Sequence, residues 1–303
     1  MENTSHFLAV TYLNITFFIV LRGSVELISP MAGYVVEYNL GGRPFKAVIT
    51  AVPLSKLKPH EEVRYRAVRT IARSIASSGL QKNPIIVDIN SGVILDGMHR
   101  WHALRRVGAR YAAVCLVEYS DPRIKLGRWV RYFPDADRIP SWLKGWLGKP
   151  QRLEEVESSP DAFIYFRGFA RRISLPWDVL KAMRRVFKVE QRLSRELGKP
   201  SYLPGVSRDL EGLFLVPPRI AKKDVVRIAS RGQVFPPKST RHEIPVRPLH
   251  LNTPLTLLKS KEDWDVVSEA LAALLNSKTL VEAPRGVVAE REYREAVLVF
   301  WGW

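Results

Sequence analysis

Three short segments of the chain concentrate residue types that handle phosphate and protons. One is Asp96-Gly97-Met98-His99-Arg100, which follows an apolar run and opens a basic stretch. A strand ending there carries the Asp96 carboxylate to its tip. Gly97 lets backbone approach a ligand closely, and a helix starting next offers unpaired N–H groups to an anion. His99 and Arg100 at such an N-terminus oppose the helix dipole, and a bound anion would relieve that. Asp96 could also hold a metal ion bridging phosphates.

A second segment is Lys58-Pro59-His60-Glu61. Pro59 fixes an extended entry, and Glu61 is expected to open a helix. The dipole alone accounts for a carboxylate there. A base beside a hydroxyl nucleophile would need the same residue. The third segment is Phe235-Pro236-Pro237-Lys238-Ser239-Thr240-Arg241-His242. Its prolines stiffen a loop, expected over Val234–Pro245. Ser239, Thr240, Arg241 and His242 could together grip a small carboxylate or phosphate, or form a basic surface loop. Trp129, Trp142 and Trp146 could stack on a base, although packing is the commoner use of tryptophan.

The elements that must position these groups are legible from periodicity. Strands are expected at Tyr34–Tyr38 and Phe45–Val52 around Gly41-Gly42, at Pro84–Ile89 and Val93–Leu95, and at Tyr111–Tyr119. Apolar residues at helical spacing predict a helix over Glu61–Ser78, capped by Gly79, and another over His99–Val107. Further on, helices are expected at Trp177–Leu197, Lys222–Ser230 and Ser260–Asn276, and strands at Leu213–Val216 and Ala296–Trp301. Between Asp135 and Pro160 no period stands out, which suggests a crossover. The expected class is mixed α/β. The expected organisation is an N-terminal extension, 1–30; a catalytic domain, 31–135; a second domain, 136–258, bearing the loop 234–245; and a C-terminal extension, 259–303.

The 303 residues suffice for two cores. A net charge of +17 attracts polyanions, so both nucleic acid and multiply phosphorylated substrates come into view. The single cysteine, Cys115, lies in an apolar run; it excludes an internal disulfide and a cysteine-based zinc site and fits a reducing cytoplasm. Phe7–Leu21 is apolar but short for a bilayer and lacks the basic lead of a signal peptide, so no membrane association is expected and Met31 is a candidate functional start. No Walker-type glycine loop, kinase-like glycine loop or zincin spacing is present.

The first two segments together resemble the ParB/sulfiredoxin superfamily. The third points to one branch, the archaeal free L-serine kinases (SerK). That family has Lys-Pro-His-Glu before a helix, Val-Asp-Gly-His-His-Arg-Trp at a strand end, and a Phe-x-Pro-Lys-x-Thr-Arg-His loop near the C-terminus. This chain has Lys58-Pro59-His60-Glu61, Leu95-Asp96-Gly97-Met98-His99-Arg100-Trp101, and the loop from Phe235 to His242, in the same order, across about residues 45 to 250. The resemblance implies a ParB/sulfiredoxin-like N-terminal domain with a second, smaller α/β domain. It implies phosphorylation of free L-serine to O-phospho-L-serine for cysteine synthesis in the cytoplasm, with Mg²⁺ and either ATP, the expected donor, or ADP.

By the same resemblance, Glu61 orients or deprotonates the serine hydroxyl, and Asp96 assists it or holds Mg²⁺. Gly97, Met98, His99 and Arg100 contact nucleotide phosphate. Trp129, Ser239, Thr240, Arg241 and His242 hold serine or its phosphate. Met98 departs from the family's first histidine, so a nucleotide contact is lost or moved. Sulfiredoxin chemistry would need a cysteine at that position. The rival is a ParB-like DNA-binding or nucleotide-switch protein. It would carry a helix-turn-helix soon after the second strand motif, where residues 121–160 are instead rich in Pro, Gly and Trp. The basic helix expected at Trp177–Leu197 keeps that rival open.

Overall fold

Tyr111–Val117 is apolar at nearly every position, and all seven of its residues are buried in the computed structural model. A strand buried on both faces needs a layer on each side. It lies at the centre of a five-stranded sheet ordered Tyr34–Leu40, Arg43–Pro53, Tyr111–Val117, Ile85–Asp88, Ile94–Asp96. Its pairing with Ile85–Asp88 is parallel, and the sheet's other pairings are antiparallel. The structure describes residues 32–40, 42–283, 286–288, 291–293 and 295–302. The expectations for 1–30 and for Met31 lie outside the described residues, as does Gly41.

Helices Tyr65–Ser78 and Met98–Arg106 pack on each other and into this sheet's apolar cluster. Trp264–Asn276 lies against Arg43–Pro53, where Trp264 Nε1 and Ser268 Oγ both donate to the Ala51 carbonyl (2.5 and 3.2 Å). Chain from both ends builds this core: Val225, Phe235, Val246, Leu271 and Phe300 share a cluster with Ile49 and Val114. A three-stranded sheet closes it, with Ala296–Trp301 parallel to Val246–Leu249 and antiparallel to Thr279–Ala283.

A second, antiparallel sheet of six strands runs Ser201–Leu203, Val130–Phe133, Leu213–Val216, Phe163–Phe166, Phe169–Ile173, Leu147–Gln151. Helix Val179–Leu197 covers it with Val186, Val189 and Leu193. Its N-cap is Asp178, whose carboxylate accepts the Lys181 N–H at 2.8 Å. Trp177, expected inside that helix, precedes it and is fully exposed.

Two expectations are corrected here. The helix expected from Glu61 starts at Tyr65, because residues 58–62 are extended and their backbone groups are already committed. Lys58 N–H donates to Gly92, Phe235 N–H to His60, and Glu62 N–H to Phe235 (2.8–2.9 Å). The helix expected from Ser260 starts at Trp264, after a separate turn of helix at Leu255–Leu258. Among the described residues no helix is long and apolar enough to cross a membrane.

Candidate active site

The extended run 58–62 brings the three polar segments together. On one side Lys58 bridges Val93 in parallel, next to the strand that ends at Asp96; on the other Glu61 bridges Phe235. Leaving helical geometry thus places Glu61 between the site helix Met98–Arg106 and the loop 235–240.

Glu61 is gripped by that loop. Its Oε1 accepts the Lys238 N–H (2.7 Å); its Oε2 accepts the Ser239 N–H (3.1 Å), the Thr240 N–H (3.0 Å) and the Thr240 hydroxyl (2.9 Å). Lys238 has φ +61°, in the left-handed region. Successive N–H groups around such a residue form a concave anion nest, and here the anion is a side chain of the same protein. Burial raises the Glu61 carboxyl above its ordinary value, while hydrogen bonds from Thr240 and Lys238 oppose the shift. A carboxyl raised in this way, with a single donor on Oε1, is equipped to accept a proton.

Asp96 sits at the strand tip as its position requires. Its Oδ2 accepts from Arg100 (3.1 Å) and from Arg247 (3.0 Å). Arg247 is buried, pairs also with Glu295, and donates to the His242 carbonyl at 3.3 Å. Gly97, at φ +98°, caps the helix, and a Cβ there would lie 2.8 Å from the Arg100 guanidinium. The absent side chain is what allows Arg100 to fold back over the helix start. Arg100 Nε is buried with no protein partner.

Asp96 Oδ2 meets two guanidinium groups, and among the described residues no three His, Cys, Asp or Glu side chains gather as a metal site.

His99 Nε2 accepts the Arg64 N–H at 3.2 Å, which leaves Nδ1 as the donor of a neutral ring. Burial, then the charges of Lys238, His102, Arg100 and Arg64, holds that ring below the ordinary imidazole value. Met98 turns into the apolar cluster, so only its backbone remains for an anion.

The loop's donors divide. Ser239 Oγ donates to the Pro236 carbonyl (2.6 Å), and the Thr240 hydroxyl serves Glu61. His242 Nε2 meets the Tyr119 hydroxyl at 2.7 Å, and its ring lies 5.3 Å edge-on from His60. These three side chains, expected to grip a ligand, are turned inward, where the Pro236 carbonyl, the Glu61 carboxylate and the Tyr119 hydroxyl partner them. Arg241 and Lys238 face the half-buried Trp129 ring instead, at 5.5 and 4.7 Å. Beneath Trp129, Arg131 donates to its carbonyl (2.7 Å) and to Glu190 (2.7 Å), and Tyr202 donates to Glu190 (2.6 Å).

Several of these residues escaped the sequence reading. His60 and Lys238 lay inside recognised segments without being singled out. Arg247 had one usable signal, a lone charge in the apolar run 244–251, since charged residues are rarely buried unless paired. Tyr202 and Arg64, whose guanidinium lies over the Tyr202 ring at 5.8 Å, had none.

No family model matches the chain. It is 29% identical over 229 residues to a protein named ATP-dependent L-serine kinase from Staphylothermus marinus, covering 69% of this chain and 90% of that one. It is 25% identical over 214 residues to the ADP-dependent L-serine kinase SerK of Thermococcus kodakarensis, covering 65% and 87%. A ParB-like protein of Sulfolobus acidocaldarius is 27% identical over 187 residues, covering 62% and 86%. Among solved structures, a free serine kinase with one glutamate replaced by alanine, in complex with ADP, superposes with a TM-score of 0.57 at 23% identity, covering 69% of this chain and 93% of that one. That last likeness concerns the fold, which is mixed α/β in both. In sequence over most of its length, and in fold, this chain is similar to the free L-serine kinases.

Proposed function

We propose that this protein is a free L-serine kinase that moves a phosphoryl group from a nucleotide to the serine hydroxyl and yields O-phospho-L-serine. The observation that carries the reading is the meeting of Glu61, the Asp96–Arg100 helix start and the 238–241 loop at one place. Phosphoryl transfer needs an in-line nucleophile and dispersal of phosphate charge. Glu61 takes the serine proton as the oxygen attacks, and the bond from phosphorus to the nucleotide's bridging oxygen breaks. N–H groups after Gly97, the neutral His99 and Arg100 disperse charge on the transferring group. Asp96 and Arg247 hold Arg100 in place. Arg241, 5.5 Å from the centre of the Trp129 ring and paired with Glu243, is suited to the serine carboxylate, and Lys238 to its phosphate.

ATP is the donor we expect, as in the Staphylothermus relative; the Thermococcus relative is named for ADP. Mg²⁺ would enter with the nucleotide phosphates. A cytoplasmic place ahead of cysteine synthesis fits both the product and the single buried thiol. Incubation with L-serine, Mg²⁺ and either ATP or ADP should yield phosphoserine, and no product with either nucleotide would reject the reading.

A second reading, a ParB-like DNA-binding or nucleotide-switch protein, is favoured by the Sulfolobus relative and by Lys181, Arg184, Arg185 and Lys188 on one helix. A gel shift with duplex DNA that persists as salt rises would support it, since binding by charge alone fades.

A further inference from the structure

The serine kinase reading uses Glu61 but leaves a buried hydrogen-bonded chain behind it unexplained. His60 is completely buried. Its Nδ1 lies 2.6 Å from the Ile94 carbonyl, which can only accept, so Nδ1 carries the proton. Its Nε2 lies 2.8 Å from Thr240 Oγ1. The same Oγ1 lies 2.9 Å from Glu61 Oε2. A neutral ring protonated on Nδ1 can only accept at Nε2, and an ionised carboxylate can only accept. A threonine hydroxyl has one proton, so it cannot serve both neighbours at once.

We infer that Thr240 is a hydroxyl switch and His60 a positioning residue that raises the basicity of Glu61. While Glu61 is ionised, the carboxylate holds the Thr240 proton and His60 Nε2 is left facing an oxygen lone pair. When Glu61 takes a proton on Oε1, its Oε2 becomes the weaker acceptor. The Thr240 O–H bond then turns to His60, without breaking, and satisfies it. Proton uptake by Glu61 therefore makes one buried hydrogen bond as it loses another. In the kinase reaction, on which this role rests, the serine O–H breaks and a Glu61 O–H forms as the new P–O bond is made. The switch lowers the cost of that transfer.

The surroundings keep the ring neutral. His242 stands 5.3 Å from His60, with Tyr119 on its far side and Lys222, Arg247 and Asp96 bearing on it. Lys238 faces Glu61. Burial holds His60 down to about 4, so at neutral pH it competes as an acceptor and not as a cation.

Two substitutions separate the ring's two contacts. Asparagine matches the Nδ1 donor but is too short to reach Thr240. Glutamine places an acceptor near Nε2. The test is a carbon-13 titration of the Glu61 side chain, read without substrate, together with the pH profile of kcat for phosphoserine formation. His60→Asn should move the Glu61 titration and the acidic limb down by about one pH unit, the worth of one net hydrogen bond. His60→Gln should restore both. Equal values in both variants and the wild type would overturn the switch. Should either variant fail to fold, nitrogen-15 spectra of the wild-type protein decide the matter. His60 Nε2 should stay unprotonated and shift at the pH where Glu61 titrates, and a signal blind to that titration would overturn the inference. A shifted titration in a protein that makes no phosphoserine would keep the switch and reject the kinase reading; phosphoserine with unshifted titrations would do the reverse.

Discussion

At the scale of single residues, the site is a set of charges each held by its opposite. Glu61 rests in backbone N–H groups, and Asp96 between two arginines. Arg241 lies with its guanidinium over Trp129 and pairs with Glu243, and in the proposed reaction it meets the serine carboxylate. Arg241→Ala should raise the KM for serine roughly tenfold to a hundredfold, the range for losing a charge-assisted contact, with a smaller change in kcat. Steady-state kinetics with varied serine checks this. Arg247 has a different task. It is 6% exposed and pairs with both Asp96 and Glu295. Arg247→Met leaves Asp96 with Arg100 alone and removes the guanidinium paired with Glu295, and should cost about 3 kcal/mol of stability. Urea unfolding would show it as a lower midpoint at unchanged slope.

At the scale of elements, the helix Met98–Arg106 matters most, and the residue before it sets its chemistry. Gly97 takes a left-handed φ, and a Cβ there would collide with the Arg100 guanidinium. Gly97→Ala should cost about 1–2 kcal/mol in backbone strain. It should also displace Arg100 and raise the nucleotide KM roughly tenfold, the worth of one charged hydrogen bond. Thermal unfolding and nucleotide titration measure the two effects separately. This helix was legible because a glycine, a period and a preceding apolar strand agree locally. The true start of the preceding helix was not. Residues 61–64 suit a helix by type, but Phe235, more than 170 positions away, takes the backbone of His60 and Glu62, and His99 takes the Arg64 N–H. The hairpin of Phe163–Phe166 and Phe169–Ile173 went unread for a different reason. Its turn is Arg167-Gly168, with φ of 47° and 83°, where asparagine or aspartate usually announces such a turn. Long-range pairs such as Asp96–Arg247 leave no local pattern at all. The three motif segments were visible one by one, and their inward-turned side chains became apparent only once the loop was seen to wrap Glu61.

At the scale of the whole molecule, two neutral histidines are packed beneath the site, and this couples folding to pH. Burial lowers His60 from 6.5 to about 4 and lowers His242 as well. The unfolded chain therefore binds more protons in that window, and stability falls as pH drops from 6.5 towards 4. His60 alone accounts for about 3 kcal/mol of that loss. Glu61, raised by burial, has the opposite sign: its contribution is present below 4.5 and is lost as pH rises through its folded value. One carboxyl offsets only part of what two rings lose. Unfolding midpoints should therefore fall between pH 6.5 and 4, and the slope should flatten in His60→Gln. The net charge of +17 also acts at this scale, drawing phosphorylated substrates toward a site lined by Arg64, Arg100, Lys238 and Arg241.

The central claim is that Glu61 receives the proton of a serine hydroxyl while a nucleotide's terminal phosphoryl group is transferred to it. Phosphorus-31 spectra of reactions containing L-serine, Mg²⁺ and ATP or ADP, run with the wild-type protein and with Glu61→Gln, test it directly. The expected result is a phosphoserine signal from the wild type and at least a hundredfold slower formation by a folded variant, roughly the contribution of a general base. Equal rates from the two proteins would contradict it.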